Sequence, residues 1–528
     1  AELARGPGGS TGAELFEAGD WLFFGGGTAM RYFLLAAAVL LSLNTMGSRV
    51  EAQQGKRIVA YYTAWSIYAR NFFVTDIQAE KLTHINYAFA NITNGEVTLG
   101  DRWADIEKSY PGDSWDDPLR GNFNALLNLK ERHPHVKTLI SVGGWTWSGR
   151  FSDVAVSEDS RNLFAASCVD FMTRYGFDGI DIDWEYPVSG GLASNRTREE
   201  DRENFTLLLA ELRRQVDERT VADGRSYLLT IAAPAGSGTY ANIEIEQIHP
   251  LLDWINLMSY DFNGGWSEQT GLQAGLFAAQ DNENKIPGLN AAAALEAYLD
   301  AGVPPVKLQM GVPFYGRGWR GVADVNNGLY QSHRGVPTGT WENGVFDYSD
   351  LVDNYLPSYT RHWHEEAKVP WLYNADTGIM ITYDDPESLA LKVDYVNEQR
   401  LGGVMLWDLS SDDEEGSLLS VLHQGLRQPP AARFIRGDCN TDAMIDLTDA
   451  VYLLNYNFTG GPAPACAAAC DADGDGQING TVTDALYLLS FSFLGGAPPP
   501  PPFPACGTAG RPSDEALGCE ETVKDCRN

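Results

Sequence analysis

Between residues 178 and 187 the chain reads DGIDIDWEYP, and its acids are spaced to act together. Side chains on an extended strand alternate between two faces, so Asp181, Asp183 and Glu185 share one face while Ile180, Ile182 and Trp184 share the other. Successive acids on that face stand roughly 6.6 Å apart. Carboxylates stacked this closely cannot all ionise cheaply, and at least one should hold a proton at neutral pH. Glu185 is outermost and reads as a general acid; Asp183 is placed to hydrogen-bond it, and Asp181 is deepest. A protonated carboxyl at the mouth of a strand is what cleavage of a glycosidic bond requires. The competing readings are a column that holds a cation such as Mg²⁺ and a buried polar network that satisfies itself.

Such a column needs a scaffold that brings many strand ends to one place. Eight short apolar runs alternate with longer helical patterns: IVAYYTAW (58–65), THINYAFA (83–90), KTLISVGG (137–144), GIDIDWEY (179–186), YLLTIAAPA (227–235), WINLMSYDF (254–262), VKLQMGVPFYG (306–316) and GGVMLWDLS (402–410). Eight βα units predict an α/β fold, a (β/α)8 TIM barrel over 56–428 whose active site lies at the C-terminal strand ends. The polar and aromatic residues at those ends fit: Trp65, Trp145, Trp147, Glu185, Tyr260, Asp261, Tyr315, Trp407 and Asp408. The interval before the last run is too long for a plain loop, so 317–385 is expected to be a small α+β module inserted between strands seven and eight, walling one side of a cleft.

The formal charge of −33, from 71 acidic against 38 basic residues, excludes a nucleic-acid partner that needs phosphates neutralised. With 14 Trp, 23 Tyr and 22 Phe the chain can fill a large core and still line a groove for a neutral ligand. Met30 and Arg31 precede the apolar run YFLLAAAVLLSL (32–43). This reads as a secretory leader over 30–55, cut near Ala52, with 1–29 an upstream segment, and predicts an extracellular or cell-surface protein. The run falls short of the roughly 20 residues of a membrane span. Cys168 stands alone in the body, whereas Cys439, Cys466, Cys470, Cys506, Cys519 and Cys526 crowd the tail. They predict a disulfide-stapled module with the pairing left open.

In the body, Asp178, Asp181, Asp183 and Glu185 match a DxxDxDxE pattern, and SVGG (141–144), YAF (87–89), MSYDF (258–262), GVPFYGR (311–317) and Trp407 fall in the accompanying order. Over about 56–425 the chain resembles the family 18 glycoside hydrolases, especially bacterial chitinases with an α+β insertion. The resemblance implies a secreted chitinase that cleaves β-1,4-linked N-acetylglucosamine polymers with retention and no catalytic cofactor. Glu185 would protonate the leaving oxygen while the sugar's own 2-acetamido carbonyl attacks. Asp183 and Tyr260, with Asp261, would hold the acetamide, and Trp407 would form the floor. Trp65, Trp145, Trp147, Trp266 and Trp319 are candidates to stack on sugar rings; Tyr87, Met258, Tyr315 and Arg317 are candidates to line the subsites. The alternatives are an endo-β-N-acetylglucosaminidase acting on N-glycans and a chitin-binding lectin on an inactive barrel.

The tail repeats an oxygen-rich loop followed by an apolar helix, at 438–461 and 471–496. Asp438, Asn440, Asp442, Met444 (through its carbonyl), Asp446 and Asp449 take positions 1, 3, 5, 7, 9 and 12 of a Ca²⁺ loop. In the second copy Asp471, Asp473, Asp475, Gln477 and Asn479 keep the early spacing, and Asp484 arrives two residues late, so that loop must bulge to close. The unit resembles dockerin domains over 433–497, which implies two bound Ca²⁺ and a cohesin-like protein or surface scaffold as partner. Folding of so small a module is expected to depend on Ca²⁺ and the disulfides, with 498–528 a Pro-rich, cysteine-bearing extension.

Overall fold

The structure, a computed structural model, describes residues 55–114, 116–281, 287–427, 433–478, 480–508, 511–519 and 526. The upstream segment and the leader, except Gly55, lie outside them. The first strands are β1 (Arg57–Thr63), β2 (His84–Thr93) with its hairpin partner β3 (Glu96–Thr98), β4 (Lys137–Gly143) and β5 (Gly179–Asp183). They are followed by β6 (Leu228–Pro234), β7 (Trp254–Met258) and β8 (Leu308–Pro313). After β8 the chain leaves for a second sheet of β9 (Tyr315–Arg320), β10 (Val345–Asp347), β11 (Thr360–His364), β12 (Val369–Asn374) and β13 (Ile379–Thr382), and returns as β14 (Gly403–Trp407). β14 pairs in parallel with both β8 and β1, and β1 pairs with β2, which closes the order β1-β14-β8-β7-β6-β5-β4-β2 into an eight-stranded parallel barrel.

Each barrel strand is covered on both sides, which is why it reads as a nearly unbroken apolar run. The outward residues, such as Ile58, Ala60, Tyr62, Ile180 and Ile182, join the helices in one large core. The inward ones, Val59, Tyr61, Leu139, Trp254 and Met405, form a smaller core inside the barrel. The long helix Glu158–Tyr175 starts at Ser157, whose side chain accepts from the Ser160 amide, and stops at Gly176 in the left-handed conformation. Gly143 explains part of the SVGG run: it lies beside Asp183 at φ 107°, and a Cβ there would come within 2.3 Å of the Asp183 carbonyl. Only glycine lets the ends of β4 and β5 close up at that point.

The inserted sheet is antiparallel, in the order β10-β9-β13-β12-β11, and begins at Tyr315, two residues before the expected start. It has its own core, built on Trp319, Leu329, Val369, Trp371, Tyr373 and Met380. In the C-terminal module the helices Leu447–Thr459 and Thr483–Leu494 pack through Ala450, Leu453, Ala485 and Leu488. The disulfides are Cys439–Cys470, Cys466–Cys519 and Cys506–Cys526, with Cys168 free and buried. Among the described residues no helix is long and apolar enough to cross a membrane.

Candidate active site

The acid column is present but graded. Asp181 is fully buried inside the barrel and saturated with donors: Tyr61 Oη (2.7 Å) and Ser141 Oγ (2.8 Å) on Oδ2, Thr230 Oγ1 (2.6 Å) and Asn256 Nδ2 (3.2 Å) on Oδ1. Burial raises its pKa, and these four hydrogen bonds pull it back. Asp183, also buried, has no partner for Oδ1, and burial together with the charges of Glu185 and Asp181 lifts it well above the carboxylate range. The expected hydrogen bond from Asp183 to Glu185 is not made. Asp178, the first acid of the pattern, stays out of the column and is consumed by Lys130, Arg225 and the Thr138 amide.

β5 ends at Asp183, so Glu185 stands beyond the strand rather than on it. Ser148 Oγ accepts the Glu185 N–H at 2.8 Å and donates to the Asp183 carbonyl, and Asn195 Nδ2 donates to the Glu185 carbonyl at 3.0 Å. The backbone is therefore pinned on both sides of the side chain. Burial pushes the Glu185 carboxyl up to about 7, with the Tyr186 hydroxyl pulling it down and the Asp261 charge pushing it further up. At neutral pH it is poised between acid and base.

Met258, Tyr260 and Trp407 pack against the inner core, and Tyr260 lies near enough to Glu185 to feel its charge. Tyr260 is held as a neutral phenol by burial and by the nearby charges of Asp183, Asp261 and Glu185, and its hydroxyl approaches Met405 Sδ at 3.7 Å. Asp261, at φ 58°, is clamped by Arg317 through Nε (2.7 Å) and Nη2 (2.5 Å) and by Tyr315 Oη (2.8 Å). Trp407 stacks on Phe89 with centroids 5.6 Å apart and lies 5.3 Å from Tyr61, the residue that donates to Asp181. Trp65 flanks the same pair and is half exposed. Trp145 and Trp266 are also exposed, Trp147 is half-buried, and the Arg317 guanidinium covers the Trp266 ring at 4.9 Å.

Two expected binding residues belong elsewhere. Tyr87 alternates to the outer face of β2, where it is fully buried and donates to Asp105 at 2.6 Å. Trp319 is buried in the core of the inserted sheet, and its indole N–H donates to the Gly264 carbonyl at 3.0 Å. It thus supports the loop that presents Trp266 without facing the cleft. Conversely, Tyr61, Ser141, Thr230, Asn256, Ser148, Tyr186 and Phe89 all touch the site and were not among the expected residues. The period-two alternation held a clue for some of them, since Tyr61, Ser141, Thr230 and Asn256 are inward-facing polar groups in otherwise apolar runs.

The model of Glycosyl hydrolases family 18 matches residues 57–412. The chain belongs to this family. The model of the Dockerin type I domain matches residues 436–488. Among relatives, Chitinase A1 of Niallia circulans is 45% identical over 438 residues, covering 75% of this chain and 63% of its own length. Chitinase 1 of Aphanocladium album is 39% identical over 373 residues, 69% of this chain and 84% of its own. Of solved structures, a chitinase of Bacillus thuringiensis superposes with a TM-score of 0.69 at 40% identity, covering 71% of this chain and 70% of that one.

The two acidic loops of the dockerin-type domain differ. In the first, the oxygens are taken by the loop's own groups: Asp438 accepts from the amides of Asp442 and Ala443, Asp442 from that of Met444 and from Asn440 Nδ2, and Asp449 from those of Cys439, Asn440 and Asp446. Asp446 caps the following helix on the Thr448 amide. In the second, Asp471, Asp473 and Asp484 bring ligand oxygens within 4.8 Å of one another, the one such acidic group among the described residues. Asp475 accepts from the Gln477 amide, and Asn479 lies outside the described residues. Asp471 Oδ1 and Asp484 Oδ2 are buried without a hydrogen-bond partner, so this all-oxygen set fits a hard cation.

Proposed function

We propose that the chain is an exported chitinase that hydrolyses β-1,4 bonds between N-acetylglucosamine units with retention, Glu185 acting as general acid and base. The observation that carries the reading is the Glu185 carboxyl, tuned to about 7 at the barrel mouth above two buried acids. The surroundings support an attacking group that belongs to the substrate. Asp181 is saturated, Asp183 is held protonated by burial and its neighbours, and Asp261 is locked by Arg317 and Tyr315. None is a free carboxylate of the kind the two-carboxylate retaining scheme uses. A 2-acetamido group on the sugar fills that gap. Its carbonyl oxygen bonds to the anomeric carbon as the glycosidic C–O bond breaks and Glu185 delivers its proton to the leaving oxygen. Water then opens the oxazolinium ring, giving its proton back to Glu185. Asp183 is placed to orient the acetamide N–H, Tyr260 to donate to its oxygen, and Trp407 to carry the apolar face of the sugar. An attached nucleophile held this way gains the effective concentration of an intramolecular reaction.

The dockerin-type domain is assigned two Ca²⁺, one per loop, and a cohesin-like partner or surface scaffold. The deciding experiment pairs Glu185→Gln with a product time course on N-acetylglucosamine oligomers, crystalline chitin and an N-glycoprotein. Turnover should vanish in the variant while oligomer binding persists. Release of N-glycans in preference to chitin oligomers would transfer the assignment to an endo-N-acetylglucosaminidase, and unchanged turnover would remove Glu185 from its role. Calorimetric titration with Ca²⁺ reads the number of cation sites.

A further inference from the structure

The segment beyond residue 497 lies outside the dockerin match, which ends at 488, yet it is built into the second cation loop. Arg436 is completely buried between the two. Its Nη1 donates to the Asp471 carbonyl at 2.8 Å and reaches Asp471 Oδ2 at 3.4 Å, while Nη2 donates to Asp514 Oδ1 at 2.6 Å. Its Nε and backbone N–H donate to the carbonyls of Pro501 (3.2 Å) and Pro502 (2.6 Å). From the same extension, Arg511 Nη1 donates at 3.0 Å to the carbonyl of Gly474, in the middle of the loop. Tyr487 Oη donates to the Pro498 carbonyl, Phe503 meets Phe491 edge-on, and Cys519 is tied to Cys466.

Three carboxylates within 4.8 Å repel one another when no metal lies between them. The first loop relieves this by turning its oxygens onto its own amides. The second does so only in part: Asp471 Oδ2, Asp473 Oδ1 and Asp484 Oδ1 accept from the amides of Gly476, Asp475 and Asp473, while Asp471 Oδ1 and Asp484 Oδ2 stay open, and the buried Arg436 guanidinium supplies a countercharge at Asp471 Oδ2. We propose that Arg436, with Asp514, Arg511 and residues 498–503, forms a brace that holds the second loop in ligand-ready shape when no metal is bound. The proposal rests on the calcium reading of that loop. It makes the two copies unequal: the first is held by its own amides alone, whereas the second also draws on residues outside the loop.

Hydrogen–deuterium exchange on the full chain, in EDTA and in saturating Ca²⁺, tests this through peptides covering 471–484. In the wild type, protection in EDTA should stay within a few-fold of that in Ca²⁺. Arg436→Gln should raise exchange in EDTA by about tenfold or more, with Ca²⁺ restoring protection. Arg511→Ala leaves the buried ion pairs intact and should do the same more weakly, without changing peptides 438–449. It decides the matter if Arg436→Gln fails to fold. A wild-type loop that exchanges freely in EDTA, or an Arg511→Ala loop as protected as wild type, overturns the brace. Absence of Ca²⁺-dependent protection in every form, with the EDTA arms as expected, overturns the calcium assignment instead.

Discussion

Replacing Tyr186 with Phe isolates the tuning of the general acid. Burial drives the Glu185 carboxyl up to about 7, the Tyr186 hydroxyl opposes that rise, and Asp261 adds to it. The substitution removes the opposing hydroxyl and keeps the ring. A hydrogen bond to a charged acceptor is worth about 1.5 kcal/mol, and one pKa unit corresponds to about 1.4 kcal/mol, so Glu185 should titrate about one unit higher. A general acid works only while protonated, so kcat/KM falls as pH rises through this pKa. The alkaline limb should therefore move from about 7 to about 8. The same sign governs stability: a carboxyl raised in the fold contributes fully below its unfolded value of 4.5 and loses that contribution as pH rises through about 7. The variant should keep it about one unit further. The assay is kcat/KM against pH for release of a chromophore from a short N-acetylglucosamine oligomer, since this parameter reports the free enzyme. Asp261→Asn provides the opposite sign, because losing its charge should draw the limb downward at whatever rate remains. A Tyr186→Phe limb that stays in place or falls while turnover persists would refute the assignment of that limb to Glu185.

Trp266→Ala removes an exposed ring beneath the Arg317 guanidinium. Loss of about 1 kcal/mol of stacking should lower kcat/KM roughly fivefold on long oligomers and little on the shortest, as read from a chain-length series. Tyr87→Phe should leave turnover unchanged but cost about 1–2 kcal/mol, because buried Asp105 loses its 2.6 Å donor; urea midpoints measure this. Arg70 reaches Asp347 on the inserted sheet at 3.1 Å and Asp408, next to Trp407, at 3.9 Å. Arg70→Gln removes the countercharge from both buried acids, leaving Asp347 its Trp341 and Ser411 donors and Asp408 its Ser410 donors, and should cost about 3 kcal/mol in a urea titration, with KM rising more than kcat falls if the inserted sheet loosens.

The barrel was legible because its strands are buried on both faces and recur eight times. Local pattern also showed that Asp181 and Asp183 share a face opposite Ile180 and Ile182. What alternation does not supply is where a strand stops, so Glu185 was read as part of β5 when it lies past its end. Nor does it say which face is inward where both faces carry rings. Tyr87 and Phe89 are two apart, and on a regular strand they would share a face. The register of β2 against β4 slips between Ala88 and Ala90, however, and Phe89 joins the inner core while Tyr87 stays in the outer one. Trp319 failed for a related reason: at the start of an inserted sheet, one tryptophan looks like another until the second sheet's core is known. The brace on the second cation loop was hidden most deeply, since Arg436 and Asp514 meet across a long stretch of sequence.

The column works because its members are satisfied unequally. Four donors on Asp181 make a fixed, fully hydrogen-bonded base to the stack. Asp183 has no such support on Oδ1 and sits between two other acids, so it is the cheapest place for a proton to reside and the group most sensitive to the charge of Glu185. When Glu185 gives up its proton to a leaving oxygen, the new negative charge appears next to an Asp183 that burial already favours in its protonated form. The cost of that charge is thereby limited without a cation. Had Asp183 been hydrogen-bonded like Asp181, those donors would oppose the rise that burial causes, and Glu185 would meet a more readily ionised neighbour that resists the ionisation the reaction requires.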